Sequence, residues 1–170
     1  KYYLPIIPMI LVNGAKGIGT GFSTDIMSYQ PKSIIQYIKG KIDGVQQESG
    51  LLDPYYRGFK GTITSVVEQP GKWKFEGLYK KVNSTDVLIT ELPVGVWTDD
   101  YKLYLETIID TKKKTIIRDY EDNSTDKDVN IVVKFAKGYL ETKSVLELEK
   151  LLKMSVIKTT HNMHLFNSKE

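Results

Sequence analysis

Apolar positions recur at helical spacing in three segments of the chain, which predicts three amphipathic helices. The first runs from Pro31 to about Asp43, and a proline suits the first turn of a helix. The second starts near Thr98 as N-cap, with Asp99 and Asp100 in the first turn, where the helix dipole favours acids. The third runs from Ser144 to Leu152. We expect these helices to pack through Ile34, Ile35, Ile38 and Ile42, through Leu105, Ile108 and Ile109, and through Val145, Leu148 and Leu152.

Short apolar runs between turn residues predict strands in the middle of the chain, at Gly61 to Val67, Trp73 to Leu78 and Val87 to Leu92. Residues 130–135 alternate apolar and polar positions, as a half-buried strand does. A last short strand is predicted at Met163 to Phe166. Neighbouring strands are joined by short turns and mixed with helices. The pattern therefore predicts an α+β domain with a mixed, largely antiparallel sheet and flanking helices.

The first twelve residues are apolar but contain Pro5 and Pro8, so we expect an extended, buried connection there and no regular helix. They lack the small-residue cleavage site of a signal peptide. No run of about 18 apolar residues occurs, so no membrane span is predicted. The chain starts with Lys1 and not with methionine, so we expect it to be part of a longer protein.

The composition is that of an ordinary globular protein, with 41% hydrophobic and 26% charged residues among 170. The chain contains no cysteine, which excludes disulfides, cysteine zinc sites and thiol nucleophiles, and fits an intracellular protein. The formal net charge of +3 is too small to indicate nucleic-acid binding by itself. A nucleic-acid function therefore depends on where the basic residues lie.

Several polar groups could bind a metal or act in catalysis, but each has a simpler interpretation. His161 and His164 have the spacing of a metal-binding pair, yet no third ligand is suggested nearby. The acidic clusters fit a helix start and a strand or turn: Asp99 with Asp100, and Asp119 with Glu121 and Asp122. We predict no metal site in this chain. None of the 11 tyrosines follows an arginine, and most are typical of core or rim aromatics.

The segment from Asn13 to Gly21 contains four glycines within eight positions, so its backbone adopts positive φ or lies close against something. It lacks the Gly-Lys-Ser/Thr end of a P-loop and the glycine spacing of a dinucleotide-binding loop. A structural turn is the simplest explanation of its glycines. Ile18, however, is a β-branched apolar residue with glycines on both sides. We expect it to point outward, as the apolar wedges of DNA-bending proteins do.

Lysines and hydroxyl side chains occur together in two places, a combination typical of phosphate contacts. The two groups are Lys16, Thr20, Ser23 and Thr24, and Lys153, Lys158, Thr159 and Thr160. A solvated surface position remains a simple alternative for any one of these lysines. The run of three lysines at 112–114 is interpreted as a solvated loop.

Residues 2–21, which read YYLPIIPMILVNGAKGIGTG, closely resemble the corresponding segment of the eukaryotic-type type IIA DNA topoisomerases. Four later pieces agree with that family in the same order. They are RGFKGTI at 57–63, ITELPV followed by WT at 89–98, the segment 128–135, and the segment 153–166. The resemblance therefore covers essentially the whole chain.

The resemblance implies a fragment of the DNA-cleavage core of an ATP-dependent enzyme that passes one duplex through a transient double-strand break in another. Residues 1–24 would end the winged-helix region with a DNA-intercalating loop, and residues 25–170 would form the tower domain. The catalytic tyrosine follows an arginine in that family, so we expect it upstream of this fragment. The fragment itself would hold no cofactor, whereas the intact enzyme would use Mg²⁺ and ATP.

The resemblance also implies partners: double-stranded DNA, other domains of the same enzyme, and a second copy in a homodimer, without a membrane. The location would be the nucleus, or a viral or cytoplasmic one if the source is a large DNA virus. Ile18 stands where the family's isoleucine intercalates between bases. The implied DNA-binding residues are Asn13, Lys16, Ile18, Thr20, Ser23, Trp97, Lys153, Met154, Ser155, Val156, Ile157, Lys158, Thr159, Thr160, His161 and Asn162.

Three positions depart from the family's pattern. Lys16 stands where the family commonly has an acidic or small residue, and it adds positive charge near DNA. Gly95 replaces an arginine found in many relatives, and Met27 replaces a common proline. Two other hypotheses stay open: a stand-alone DNA-bending module, and a nucleotide-binding enzyme that uses the glycine-rich segment.

Overall fold

The computed structural model describes residues 3–45 and 52–165, and the chain divides into two compact units. Unit 1 comprises Lys1–Gly58, Ser65–Trp73 and Lys158–Glu170, and unit 2 comprises Phe59–Thr64 and Lys74–Ile157. The helices are α1 (Met9–Asn13), α2 (Pro31–Ile42), α3 (Thr98–Thr111) and α4 (Val145–Leu151), and a 3-10 turn spans Thr160–Asn162. The strands are β1 (Ala15–Gly19), β2 (Phe22–Ile26), β3 (Thr62–Ser65), β4 (Lys72–Glu76), β5 (Leu78–Lys81), β6 (Asp86–Glu91), β7 (Ile117–Asp122), β8 (Ile131–Phe135) and β9 (Ser155–Thr159).

Unit 2 is built on a four-stranded antiparallel sheet in the order β5-β6-β8-β7. The alternation in β8 shows why it is a strand, because Ile131, Val133 and Phe135 are fully buried and the residues between them are half-buried. Helices α3 and α4 add Leu105 and Leu148 to the same apolar cluster. The sheet and both helices therefore share one hydrophobic core.

The two helices of unit 2 are joined by tyrosine hydroxyls at the end of α4. Tyr101 donates a hydrogen bond to the carbonyl oxygen of Leu152 at 2.7 Å, and Tyr104 donates to the carbonyl oxygen of Leu151 at 2.6 Å. The last carbonyls of a helix have no partner inside the helix, so these bonds satisfy them. They also fix the backbone immediately before Lys153.

Unit 1 contains α1, the β1–β2 pair and α2 around a small core of Ile26, Met27, Tyr29 and Ile34. Helix α2 begins with a proline in its first turn and is followed by Gly44, which has φ +71°. The strands β3, β4 and β9 form a three-stranded sheet in that order, and each of them has residues in both units.

The α+β class with antiparallel sheets and flanking helices is confirmed. The predicted helices and middle strands are present with small changes of bounds. One predicted strand, Trp73 to Leu78, is in fact the end of β4 and the start of β5, with Gly77 between them. Among the described residues, no helix is long and apolar enough to cross a membrane.

Several details of the predicted helices were wrong. The N-cap of α3 is Trp97 and not Thr98, and no side chain caps that helix. In α2 the side chains of Ile35 and Ile42 are exposed, because the buried stripe is narrow and centred on Ile34. Val145 is exposed because it is the first residue of α4, ahead of the turn that reaches the core.

Two predictions near the chain ends were also wrong. Residues 3–6 are exposed and not buried, and α1 begins after the prolines, with Pro8 as its N-cap. A proline that precedes a helix removes none of its internal hydrogen bonds, which is why it permits α1. Residues 163–165 are not a strand, and Phe166 lies outside the described residues. The strand of this region is β9, which begins at Ser155, eight residues before the predicted start at Met163.

Candidate nucleic-acid interface

The glycine-rich segment is a β-hairpin, β1–β2, that presents Ile18 to solvent. The strands pair antiparallel, with Ile18 opposite Ser23 and Lys16 opposite Asp25, and the two-residue turn between them ends at Gly21 with φ +86°. Side chains that are directly opposite share a face, so these four lie on one side of the hairpin. Ile18 is 84% exposed, as the sequence predicted.

The entry into the hairpin requires a glycine. Gly14 has φ +67°, and a Cβ atom placed there would lie 2.7 Å from the carbonyl oxygen of Ile26 and 2.9 Å from the Ser28 hydroxyl. Both approaches are shorter than real Cβ contacts, so a side chain at this position would push β1 away from the end of β2. Gly14 therefore sets the direction in which the hairpin leaves α1.

The hairpin excludes the nucleotide-binding geometry considered from the sequence. Phosphate-binding glycine loops lead from a strand into the N-terminus of a helix, whose free amides hold the phosphates. Here the glycines lie within and between two strands, and β2 is followed by Met27 and Tyr29 in the core. The segment therefore lacks the helix N-terminus on which that function depends.

The segment 158–164 packs against the hairpin within unit 1. The Thr24 hydroxyl lies 3.1 Å from the carbonyl oxygen of Asn162 and 2.9 Å from that of His164, and it accepts a hydrogen bond from the His164 amide. The next residue, Asp25, forms an ion pair with Lys158, with a shortest Nζ–oxygen distance of 3.2 Å. Neither Thr24 nor Asp25 was predicted to make these contacts.

The two threonines of this segment already have protein partners. The Thr160 amide and hydroxyl both donate to the carbonyl oxygen of Gly71, at 2.8 Å and 3.2 Å. The Thr159 hydroxyl accepts a hydrogen bond from the amide of His161. These bonds hold the turn in shape and leave the exposed side chains of His161 and Asn162 at the surface.

The other predicted DNA-binding residues in or next to the glycine-rich segment are also exposed. Asn13, Lys16, Thr20 and Ser23 all lie at the surface of unit 1. The Asn13 carbonyl oxygen accepts a hydrogen bond from the Ser28 hydroxyl, while its side chain is outside the core. The hairpin thus exposes one lysine, two hydroxyls and Ile18 at the surface of unit 1, together with Phe22, which is 78% exposed.

In unit 2, four of the predicted residues lie around a shallow cavity. Trp97 is 74% exposed at its rim, and Lys153, Ser155 and Val156 line it together with Tyr104. The Lys153 ammonium lies 3.9 Å from the centre of the Tyr104 ring, a close cation–π contact. Lys153 also has φ +49°, so its backbone leaves α4 in the left-handed conformation.

Met154 does not share this exposure. Its side chain is 1% exposed and belongs to the core of unit 2, where it packs with Tyr101 and Leu152. That burial leaves none of the Met154 side chain for a ligand. Of its neighbours in β9, Ile157 is 61% exposed, whereas Ser155 and Val156 are half-buried.

Burial and a carboxylate shape the ionisation of the tyrosines near these residues. Burial raises the pKa of Tyr56. A hydrogen bond with the Ser28 backbone lowers that pKa, and the nearby Asp25 carboxylate raises it further. Burial likewise raises the pKa of Tyr104 and, more strongly, that of Tyr101. These tyrosines are therefore neutral hydrogen-bond donors at physiological pH.

Across the described residues, no group of three or more His, Asp or Glu side chains could hold a metal ion.

Comparison with known proteins identifies the family. The family model for the A subunit of DNA gyrase/topoisomerase IV matches residues 1–170. The chain belongs to this family. The resemblance to type IIA DNA topoisomerases that the sequence suggested is thereby confirmed.

Relatives and a solved structure agree with this assignment. DNA topoisomerase 2 of Penicillium chrysogenum is 38% identical over 168 residues, which is 98% of this chain and 10% of that protein. DNA topoisomerase 2 of Plasmodium falciparum is 40% identical over 169 residues, 98% of this chain and 12% of that protein. A crystal structure of the Plasmodium falciparum topoisomerase II DNA-binding, cleavage and re-ligation domain matches with TM-score 0.87 and 38% identity, covering 99% of this chain and 23% of that one. The chain therefore spans about a tenth of the length of these curated relatives.

Proposed function

We propose that this chain is the DNA-binding and DNA-bending part of an ATP-dependent type IIA topoisomerase, an enzyme that passes one duplex through a transient break in another. The observation that carries the proposal is the hairpin that holds Ile18 84% exposed between two glycines. An apolar wedge has to be accessible to enter a base step, and the flanking glycines leave the Ile18 side chain accessible. A base step of a bent duplex would bury it.

The wedge would act together with phosphate contacts. Opening one base step costs a few kcal/mol, and a bend recovers that cost through extra contacts along both arms of the duplex. Lys16 on the hairpin and Lys153 beside Trp97 are exposed cations that can make such contacts. Neither would read base sequence, so we expect binding with little sequence preference.

The chemistry of strand cleavage would come from elsewhere in the enzyme. No tyrosine of this chain follows an arginine, as the family's nucleophile does. Tyr101, the most buried tyrosine among the described residues, has a raised pKa and a hydrogen bond that fixes its hydroxyl on a backbone carbonyl. Such a hydroxyl is poorly suited to attack a phosphodiester. We accordingly assign this chain the task of holding and bending the duplex.

The properties of the intact enzyme extend the same proposal. We expect it to form a homodimer, to need Mg²⁺ and ATP, and to act in the nucleus, or in a viral or cytoplasmic setting. We also keep the division of this chain into the end of a winged-helix region (1–24) and a tower domain (25–170). Family membership supports these expectations, whereas nothing about the fold favours a stand-alone bending module.

The salt dependence of DNA binding tests the proposal. For duplex DNA, log K falls with log salt with a slope of about −0.9 per neutralised phosphate. We expect Lys153→Met in the intact protein to reduce that slope by about 0.9. Lys137→Met removes another exposed lysine of unit 2 outside the proposed contacts, and it serves as the control. Equal slopes for the wild type and both variants would contradict the assignment of Lys153 to a phosphate.

A further inference from the structure

The base of the hairpin is tied to the segment 158–164 by two consecutive residues. Successive side chains of a strand point to opposite faces. Thr24 bonds to Asn162 and His164 on one side, and Asp25 pairs with Lys158 on the other. The base of β2 is therefore held from both sides, whereas Ile18, towards the far end of the hairpin, is 84% exposed.

The Lys158 ammonium differs from that of an exposed phosphate-binding lysine. It donates to both carboxylate oxygens of Asp25, at 3.3 Å and 3.2 Å, and its side chain is only 15% exposed. The ring of Tyr56 lies 6.0 Å from the same nitrogen. A phosphate contact by Lys158 would have to replace a carboxylate that is already in place, so its net gain would be small.

We propose that Asp25 and Lys158 are positioning residues, which set the tilt of the hairpin and hence where Ile18 enters the duplex, and that Lys158 does not neutralise a phosphate. The proposal rests on the DNA-bending function proposed above and names the side chains that aim its wedge. It changes the role assigned to Lys158 by sequence pattern from ligand to support.

The neighbouring charges decide which variants are informative. Lys16 is directly opposite Asp25 in the hairpin register, so removing the carboxylate alone also changes the field at an exposed lysine. A charge exchange preserves the net charge and the pairing but places a lysine directly opposite Lys16. It is therefore compared with Asp25→Lys alone, which makes the same change opposite Lys16 without restoring the pair. If Lys158 were a phosphate ligand, the exchange would place an acid where DNA needs a cation.

The test uses the intact protein with Asp25→Asn, Asp25→Lys, Lys158→Met, and the exchange Asp25→Lys with Lys158→Asp. Bending is measured by energy transfer between dyes on the ends of a duplex, and the salt slope of binding is measured in parallel. We expect each single variant to lower the bent fraction several-fold. The exchange should restore most of it, and Lys158→Met should leave the salt slope unchanged.

Two results would overturn the inference: an exchange variant that bends DNA no better than the single variants, or a Lys158→Met slope reduced by about 0.9, as for a lost phosphate contact. The variants Ile18→Ala and Lys153→Met separate this failure from a failure of the proposed function. If Ile18→Ala reduces bending and Lys153→Met reduces the salt slope, while the Asp25 and Lys158 variants bend DNA as the wild type does, only the positioning role is wrong. If the wild type neither binds nor bends DNA, the function itself is wrong.

Discussion

Replacing Tyr101 by phenylalanine removes a buried hydroxyl that joins α3 to the end of α4 in unit 2. The side chain is 2% exposed, and its hydroxyl donates to the Leu152 carbonyl oxygen at 2.7 Å. Phenylalanine keeps the ring and its apolar contacts. The change therefore removes only the hydroxyl donor and leaves the buried Leu152 carbonyl oxygen without this hydrogen bond. Leaving a buried polar group unsatisfied costs about 1–3 kcal/mol. We expect a loss of about 2 kcal/mol in the unfolding free energy of unit 2.

Two other tyrosines serve as graded controls. Tyr104 donates to Leu151 but is half-buried, so water can replace part of the lost bond, and Tyr104→Phe should cost about 1 kcal/mol or less. The bond from the Tyr120 hydroxyl to Glu106 is exposed, and Tyr120→Phe should cost a few tenths of a kcal/mol, on the order of an exposed polar pair.

Native-state hydrogen exchange of the β8 amides measures these differences within unit 2, because such strand amides exchange only when the core opens. The expected order of destabilisation is Tyr101→Phe, then Tyr104→Phe, then Tyr120→Phe. A Tyr101→Phe protein as stable as the wild type would refute the reasoning, and so would equal losses for the buried and exposed positions.

Two further predictions concern an ion pair and a glycine. The Lys74 ammonium lies 2.9 Å from the Glu149 carboxylate and lowers the pKa of that carboxylate from its usual 4.5. The ion pair therefore stabilises the fold at pH values above 4.5, and this stabilisation is lost as the pH falls and the carboxylate becomes protonated. Urea unfolding should therefore show wild type more stable than Glu149→Gln at neutral pH, with the difference shrinking below about pH 4.5; a difference that grows in acid would contradict the pairing. Gly14→Ala combines positive φ with a 2.7 Å clash and should cost at least about 1–2 kcal/mol, whereas Gly44→Ala, with positive φ in open space, should cost about 1 kcal/mol. Equal thermal midpoints for these two glycine variants would count against the close approach at Gly14.

The core of unit 2 was predictable because its signals are local. The alternation of Ile131, Val133 and Phe135 indicated β8, and helical spacing indicated the buried Leu105 and Leu148. Each of these patterns depends on one face of one element, so a single window of sequence contains it. The exposure of Ile18 could be predicted for the same reason, because an isoleucine between two glycines has few neighbouring side chains to pack against.

The hairpin itself and its supports were not predictable in this way. Glycines at two positions of β1 remove the apolar alternation that marks a strand, so the segment was interpreted as a loop. Asp25 and Lys158 are separated by 133 residues, and nothing in either local sequence indicates the other. The strand predicted after Asn162 was wrong because β9 ends in a 3-10 turn held by a backbone contact to Gly71, another long-range interaction.

Ile18 is the residue on which the proposed bending of DNA depends most. Fully burying an isoleucine stabilises a fold by about 1.5–3 kcal/mol, and an 84% exposed side chain can supply only a small part of that. Ile18→Ala should thus leave the thermal midpoint of the protein nearly unchanged.

The decisive measurement is the bent fraction of a duplex bound to the intact protein, read by energy transfer between its ends, for wild type and Ile18→Ala at matched saturation. We expect the alanine variant to bind DNA but to lose most of the bending, with Val67→Ala, which truncates another highly exposed apolar side chain, behaving as wild type. Wild-type bending by Ile18→Ala would contradict the central claim.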